Sequence, residues 1–173
     1  KSVEKSIAVL AFTDMSPGHD QEYLGDGIAQ EILEKLSKFI DLKVTARASS
    51  FSFKGKNEDI REIGMKLNVE HILTGSVRKE ENQIRVTVEL INTSTGRIIY
   101  SEPYNYESKK ILSLESDIAV DVAQKIKSQL SSNDKIEYSN KKEVNPEAYE
   151  AYLKGRIELN KINNFNSNFK NAI

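Results

Sequence analysis

The sequence has no cysteine, no tryptophan, only three prolines in 173 residues and almost no net charge. The missing cysteine excludes disulfides, thiolate nucleophiles and thiolate metal sites together, and fits an oxidising or a reducing compartment alike. With 25 basic residues against 26 acidic ones, no global field draws the chain to nucleic acid or to an anionic membrane. No apolar run approaches the roughly 20 residues that span a bilayer, and no signal peptide is visible. Catalytic patterns are missing as well. No Gly-x-Ser-x-Gly surrounds a serine, and neither HExxH nor Gly-x-Gly-x-x-Gly occurs. Lys54-Gly55-Lys56 is not a phosphate loop: Ser50 stands where the leading glycine belongs, and no Ser or Thr follows Lys56. No cofactor, no metal and no catalytic residue is therefore expected. The chain opens on Lys1 and stops within a pattern at Ile173, which reads as a piece of a longer protein.

What is present is a globular pattern, with 38% hydrophobic and 29% charged residues. Ser6 to Phe12 is a short apolar run bounded by turn residues, which predicts a buried strand. Leu24, Ile28, Ile32, Leu36 and Ile40 fall four apart, with Leu33 beside them, and predict a helix starting near Tyr23–Gly27. Leu42 to Ala46 reads as a second strand, and Arg47 to Lys56 as a polar loop. A shorter helix is expected from about Glu58 to Leu67 with Asn57 as its cap. Gly64 inside it costs about 1 kcal/mol relative to Ala, which a close helix–sheet approach would explain.

Three strands follow: His71 to Arg78, Ile84 to Ile91 and Arg97 to Tyr104. The middle one alternates cleanly, with Ile84, Val86, Val88 and Leu90 on one face. Gly75-Ser76 suggests a bulge or a close backbone approach, and Pro103 an edge or a strand end. Ile111, Leu114, Ile118, Val122, Ile126 and Leu130 mark a long helix. The fold class is α/β: a mixed sheet in β-α-β-α-β-β-β-α order with helices packed on it. Its first strands are parallel and its last three form an antiparallel meander. Residues 131–144 read as a polar linker. Asn145-Pro146 starts a new helix, and a break at Asn163–Ser167 precedes a second, making a partial helical-repeat tail.

The stretch from Arg47 to Lys56 is the main candidate for binding. It follows a parallel strand, at the sheet end where open α/β sheets hold ligands. Arg47, Lys54 and Lys56 offer charge, Ser49 and Ser50 offer donors, and Phe51 and Phe53 offer faces for a base or a partner. The same phenylalanines would equally serve to anchor the loop on the core while the lysines stay in water. His19, beside Asp20 and close to Glu22 and Asp26, suggests a metal or acid–base site, or simply an acidic loop leading into a helix. His71 has no neighbouring ligand pattern. Tyr100, Tyr104 and Tyr106 form an aromatic surface for a protein partner or a cover for the long helix, and Tyr149 and Tyr152 extend the partner-binding candidates onto the tail.

Ser6–Phe12 with Met15-Ser16, Tyr23-Leu24-Gly25-Asp26-Gly27-Ile28, Ala46–Phe51, Phe53–Lys56, Asp59–Gly64, Leu73–Arg78 and Leu90-Ile91-Asn92 run in order over about residues 5–130. In this they resemble the TolB-like amino-terminal domain, related to FlgO-type domains. Asn145–Tyr149 and Tyr152–Arg156 resemble the start of the tetratricopeptide repeats that often follow it. The resemblance implies residues 1–130 as the α/β domain and 145–173 as a truncated repeat. It also implies a bacterial signalling parent of the adenylate/guanylate cyclase or winged-helix regulator kind. From it we expect a non-catalytic regulatory or protein-interaction module, whose partners are proteins or other domains of the parent, not nucleic acid. A small-ligand or nucleotide sensor is the alternative. Tol- and FlgO-type relatives act outside the cytoplasm, which implies a periplasmic or otherwise membrane-linked setting, with a cytoplasmic one as the alternative.

Overall fold

The computed structural model of the chain describes residues 5–127 and 144–171, with side chains as far as residue 163. Strand β1, Lys5–Val9, is central, and Ile7, Ala8 and Val9 are all fully buried. Its apolar run serves two layers. Ile7 and Val9 enter the main core, while Ala8 enters a smaller cluster with Ile63, Val69 and Ile72 on the opposite face. That is the pattern of a parallel strand covered on both sides. The run does not continue to Phe12 as one strand; the chain re-pairs as β2, Thr13–Asp14.

Helix α1, Glu22–Leu36, buries Leu24, Ile28, Ile32 and Leu36. The expected continuation to Ile40 fails. The helix ends at Leu36, Ile40 is 96% exposed, and Phe39, 5% exposed, covers the core in its place. Strand β3, Leu42–Val44, follows, and the supposed loop begins as a short helix α2, Arg47–Phe51. Helix α3, Ile60–Leu67, is capped by Asp59, whose carboxylate accepts from the Arg61 amide, and not by Asn57. Asp59 lies directly before the first helical residue, where a cap must sit. Asn68, in the left-handed conformation at φ 54°, ends the helix.

The meander is β4, His71–Glu80, β5, Gln83–Asn92, and β6, Arg97–Glu107. Ile84, Val86, Val88 and Leu90 are buried, as the alternation requires. The sheet order is β3-β1-β4-β5-β6, with β2 also on β4. β1 is parallel to β3 and β4, and the β4–β5 and β5–β6 pairs are antiparallel. Pro103 therefore lies on an edge strand. No bulge occurs at Gly75-Ser76, where the register with β5 is unbroken. Close approach explains Gly75 instead, since a Cβ there would lie 2.8 Å from the Thr87 carbonyl oxygen.

Helix α4, Ile111–Ile126, follows a single 3-10 turn. Its expected last turn, and most of the expected linker, lie outside the described residues. Helix α5, Pro146–Asn171, is one continuous helix. Asn145 caps it, accepting from the Ala148 amide at 3.0 Å. The predicted break at 163–167 does not occur. That stretch holds no Pro or Gly, and its asparagines cost no more than roughly 0.7 kcal/mol each, too little to stop a helix by themselves. α5 does not stand apart: Tyr149 and Leu153 belong to the main core with α1 and α4.

Candidate functional site

At the carboxyl ends of β1 and β3 the chain leaves the sheet twice, and α2 with the turn after it fills the corner. Arg47 opens α2 and lays its guanidinium over the Phe51 ring, 4.3 Å from the centroid. Phe51 packs on the main core, and Phe53 packs on the smaller cluster. The two phenylalanines thus clamp the segment to opposite faces of the sheet. Ser50 is fully buried, whereas Ser49 is exposed and its carbonyl accepts from Ser52 Oγ at 2.7 Å. Gly55 takes φ 74°, a turn position that suits glycine. Lys56 is exposed and sits 5.7 Å from the Phe53 ring.

Lys54 reaches back to α1, donating to Asp26 Oδ2 at 2.6 Å and to Glu22. Burial pushes the Asp26 carboxyl above the usual range, and Lys54 only partly offsets this. Burial works against the Lys54 charge too, but its hydrogen bonds to Asp26 and Glu22 prevail and hold its pKa up. We take the pair as ionised at neutral pH, because the 2.6 Å contact compensates both charges directly. Burial also lowers the Arg47 pKa, which the Asp26 charge opposes. Asp26 Oδ1, Arg47 Nε and Ser50 Oγ are buried without a hydrogen-bond partner among the described residues.

A cleft of about 470 Å³ opens beside this corner, lined by Phe53, Lys54 and Lys56, the segment from Leu10 to Asp14, and Ile60 and Ile63 of α3. Asp14 shapes its rim. Burial works against its charge, but the amides of Ser16 and Gln21, at 2.8 and 2.7 Å, hold its carboxyl below the usual range. The candidate residues therefore divide: Phe53, Lys54 and Lys56 line the cleft, while Arg47, Ser49, Ser50 and Phe51 do not. His19 and Glu22 also border it. Among the described residues no group of three or more His, Asp or Glu side chains is placed to hold a metal ion. His71 lies at the other end of the sheet, its Nδ1 3.2 Å from the Ser6 carbonyl oxygen, and burial lowers its pKa.

The tyrosines of β6 turn onto α4. Tyr104 donates to Asp121 at 2.7 Å and shares a 2.7 Å hydrogen bond with Tyr100, and Tyr106 donates to Asp117. Tyr149 is buried and donates to Glu115 of α4. Tyr152 is half exposed and donates to Glu31 of α1 at 3.2 Å.

Two residues of this α1–α4–α5 contact are given no role by the sequence motifs. Glu115 is fully buried, and Gly27 faces Leu153 so closely that a Cβ would lie 2.7 Å from Leu153 Cδ2. The signal for Glu115 was its place in the apolar stripe, four residues after Ile111 and three before Ile118. Arg156 of α5 pairs with both Glu31 and Glu34, and Glu150 with Lys79 of β4.

Comparison with known proteins bears on this arrangement at three levels. A curated protein of Rhizobium meliloti (strain 1021), named "Putative adenylate cyclase 3", is 34% identical over 162 residues, 94% of this chain. The chain spans 28% of that relative's length. Among solved structures, TolB from Acinetobacter baumannii superposes with a TM-score of 0.54 at 11% identity, over 75% of this chain and 30% of that one. Lipoprotein GNA1162 from Neisseria meningitidis gives 0.52 at 16% identity, over 68% and 96%. At such identities the likeness establishes the fold alone. Residues 3–123 match the family model for the second domain of HilA/YgeH-like transcriptional regulators, and that is the family to which this chain belongs.

Proposed function

We propose that the chain is a non-catalytic regulatory module which couples its α/β domain, through docked α5, to the other parts of a signalling protein. The observation that carries this reading is the docking itself. α5 is fastened to α1, α4 and β4 by Leu153 against Gly27, by Tyr149 on Glu115 and by the ion pairs of Arg156 and Glu150. Farther along, Leu159 and Ile162 of α5 are 62% and 54% exposed, surface that a neighbouring helix of a repeat would cover. The regulator family and the cyclase-named relative support a signalling parent, with a cyclase or a transcription regulator as the rest of the chain. A membrane-linked parent, with this module on the periplasmic side, completes the proposal; among the described residues no helix is long and apolar enough to cross a membrane.

The test is made in the full-length parent. Leu153→Asp should free α5, leave the sheet folded and change the parent's regulated output. An output and partner binding identical to the unaltered protein would overturn the proposal.

A second reading, a small-ligand or nucleotide sensor, is favoured by the cleft beside Lys54 and by the unpartnered Asp26 Oδ1, Arg47 Nε and Ser50 Oγ. It predicts a thermal shift with one metabolite class that Lys56→Ala, in the lining of the cleft, abolishes; no shift across nucleotides and common anions would dismiss it.

A further inference from the structure

We propose that α5 is a latch released by loss of a single proton, with Glu115 of α4 as the gate and Tyr149 of α5 as the group that senses it. Glu115 has no exposed surface. Tyr149 Oη donates to its Oε1, and its Oε2 is buried without a partner among the described residues. An ionised carboxylate there would carry its charge on one hydrogen bond, whereas the neutral acid carries no charge into the apolar contact.

The facing groups do not remove that imbalance. α1 presents Glu31, which opposes ionisation, and Lys35, which favours it. α5 presents Arg156, which also favours it, but Arg156 is engaged by Glu31 and Glu34. Burial prevails over these and over the Tyr149 hydrogen bond, and it pushes Glu115 up to about 8 from an ordinary 4.5.

The direction of the linkage follows. An acid whose pKa is raised on docking binds its proton more tightly in the docked state. With undocking returning Glu115 to water and to its ordinary 4.5, docking is strongest below about 4.5, weakens close to tenfold per pH unit above that, and levels off past about 8. Neutral pH falls on the slope, where small changes in proton activity alter the docked population. The rest of the contact suits a reversible joint. Leu153 fills a hole made by Gly27, and around it stand ion pairs and side-chain hydrogen bonds.

Hydrogen exchange on the intact chain tests the gate, with amides of residues 150–163 compared with those of β5 from pH 5 to 9 after correction for intrinsic exchange. The expected result is α5 protection that falls about tenfold per pH unit between 5 and 8, with β5 amides, which open only on global unfolding, better protected than α5 at every pH. Glu115→Gln should give a flat α5 profile, because the amide keeps the shape and the acceptor but cannot ionise. An unchanged slope in Glu115→Gln, or α5 amides as well protected as those of β5 throughout, would overturn the proposal. A carboxyl-carbon titration of Glu115 by NMR reads the gate without any substitution; a midpoint near the ordinary glutamate value would sink it. The gate rests on the docked α5 of the proposed function, but the two fail separately. A flat pH profile beside a working Leu153→Asp effect would remove the gate and keep the coupling module.

Discussion

Gly27 faces Leu153 across the α1–α5 contact, while Gly155 of the same α5 has nothing within 4 Å of where a Cβ would be. The two positions should respond oppositely to alanine. Gly27→Ala gains helix propensity of up to about 1 kcal/mol but drives a methyl into Leu153, an overpacking worth about 1–3 kcal/mol. Gly155→Ala gains the propensity alone. Thermal unfolding should show Gly27→Ala destabilised and Gly155→Ala stabilised, and Leu153→Ala should cancel part of the Gly27→Ala loss in a double-mutant cycle. Strict additivity in that cycle would mean that the contact is not made. Gly64 teaches the same lesson about what sequence carries. A glycine inside a helical pattern announces a close approach. Its partner, the Thr93 side chain just beyond β5, with its own Cβ 2.4 Å from where a Cβ on Gly64 would lie, comes from 29 residues away in the chain and leaves no local trace. Asp26 and Glu115 were visible as acids near or within apolar stripes, but their burial depends on helices that pack over them later.

At the scale of elements, regular patterns were readable and short ones were not. β5 alternates from Gln83 to Leu90, and α4 repeats over four turns, so hydrophobic periodicity alone located them. β2 has two residues and α2 has five, too few for any period to show. The tyrosines of β6 were ambiguous between partner and cover until the register placed Tyr104 opposite Val86, on the face that meets α4. There Tyr104 Oη links Tyr100 and Asp121, and burial together with both contacts raises its pKa well beyond an ordinary tyrosine. Tyr104→Phe should cost about 1–2 kcal/mol, since it leaves a half-buried carboxylate short of a donor. That corresponds to a Tm lower by roughly 2–8 °C for a chain of this size. The more exposed Tyr106, which donates to Asp117 and is raised to about 12 by burial first and that contact second, should cost less. No loss at either position would show that burial of the rings, not the hydrogen bonds, holds β6 to α4.

For the whole molecule the question is where the domain ends. Composition suggests a polar linker after 130 and a separate helical tail, yet Tyr149 and Leu153 are part of the same core as Ile28, Leu114 and Ile118. Sequence could not supply this, because a docked helix and a detached one have the same periodicity; only the hole at Gly27 and the acid at Glu115 distinguish them. The sheet with α1, α3 and α4 nevertheless has a large core of its own, including Val86, Val88 and Leu90 at 0% exposure. A chain ending at Lys127 should therefore still unfold cooperatively, with a lower Tm because Leu114, Ile28 and their neighbours lose the cover of Leu153 and Tyr149. It should also differ from the full chain in its pH response. With α5 gone, Glu115 meets water and returns toward an ordinary glutamate, so the loss of stability with rising pH expected of the full chain up to about 8 should vanish. Calorimetry of both chains from pH 5 to 9 measures the two effects together. Parallel pH profiles would mean that Glu115 is buried by α1 and α4 alone, whereas failure of the shorter chain to fold would make α5 a part of the domain and not its coupling arm.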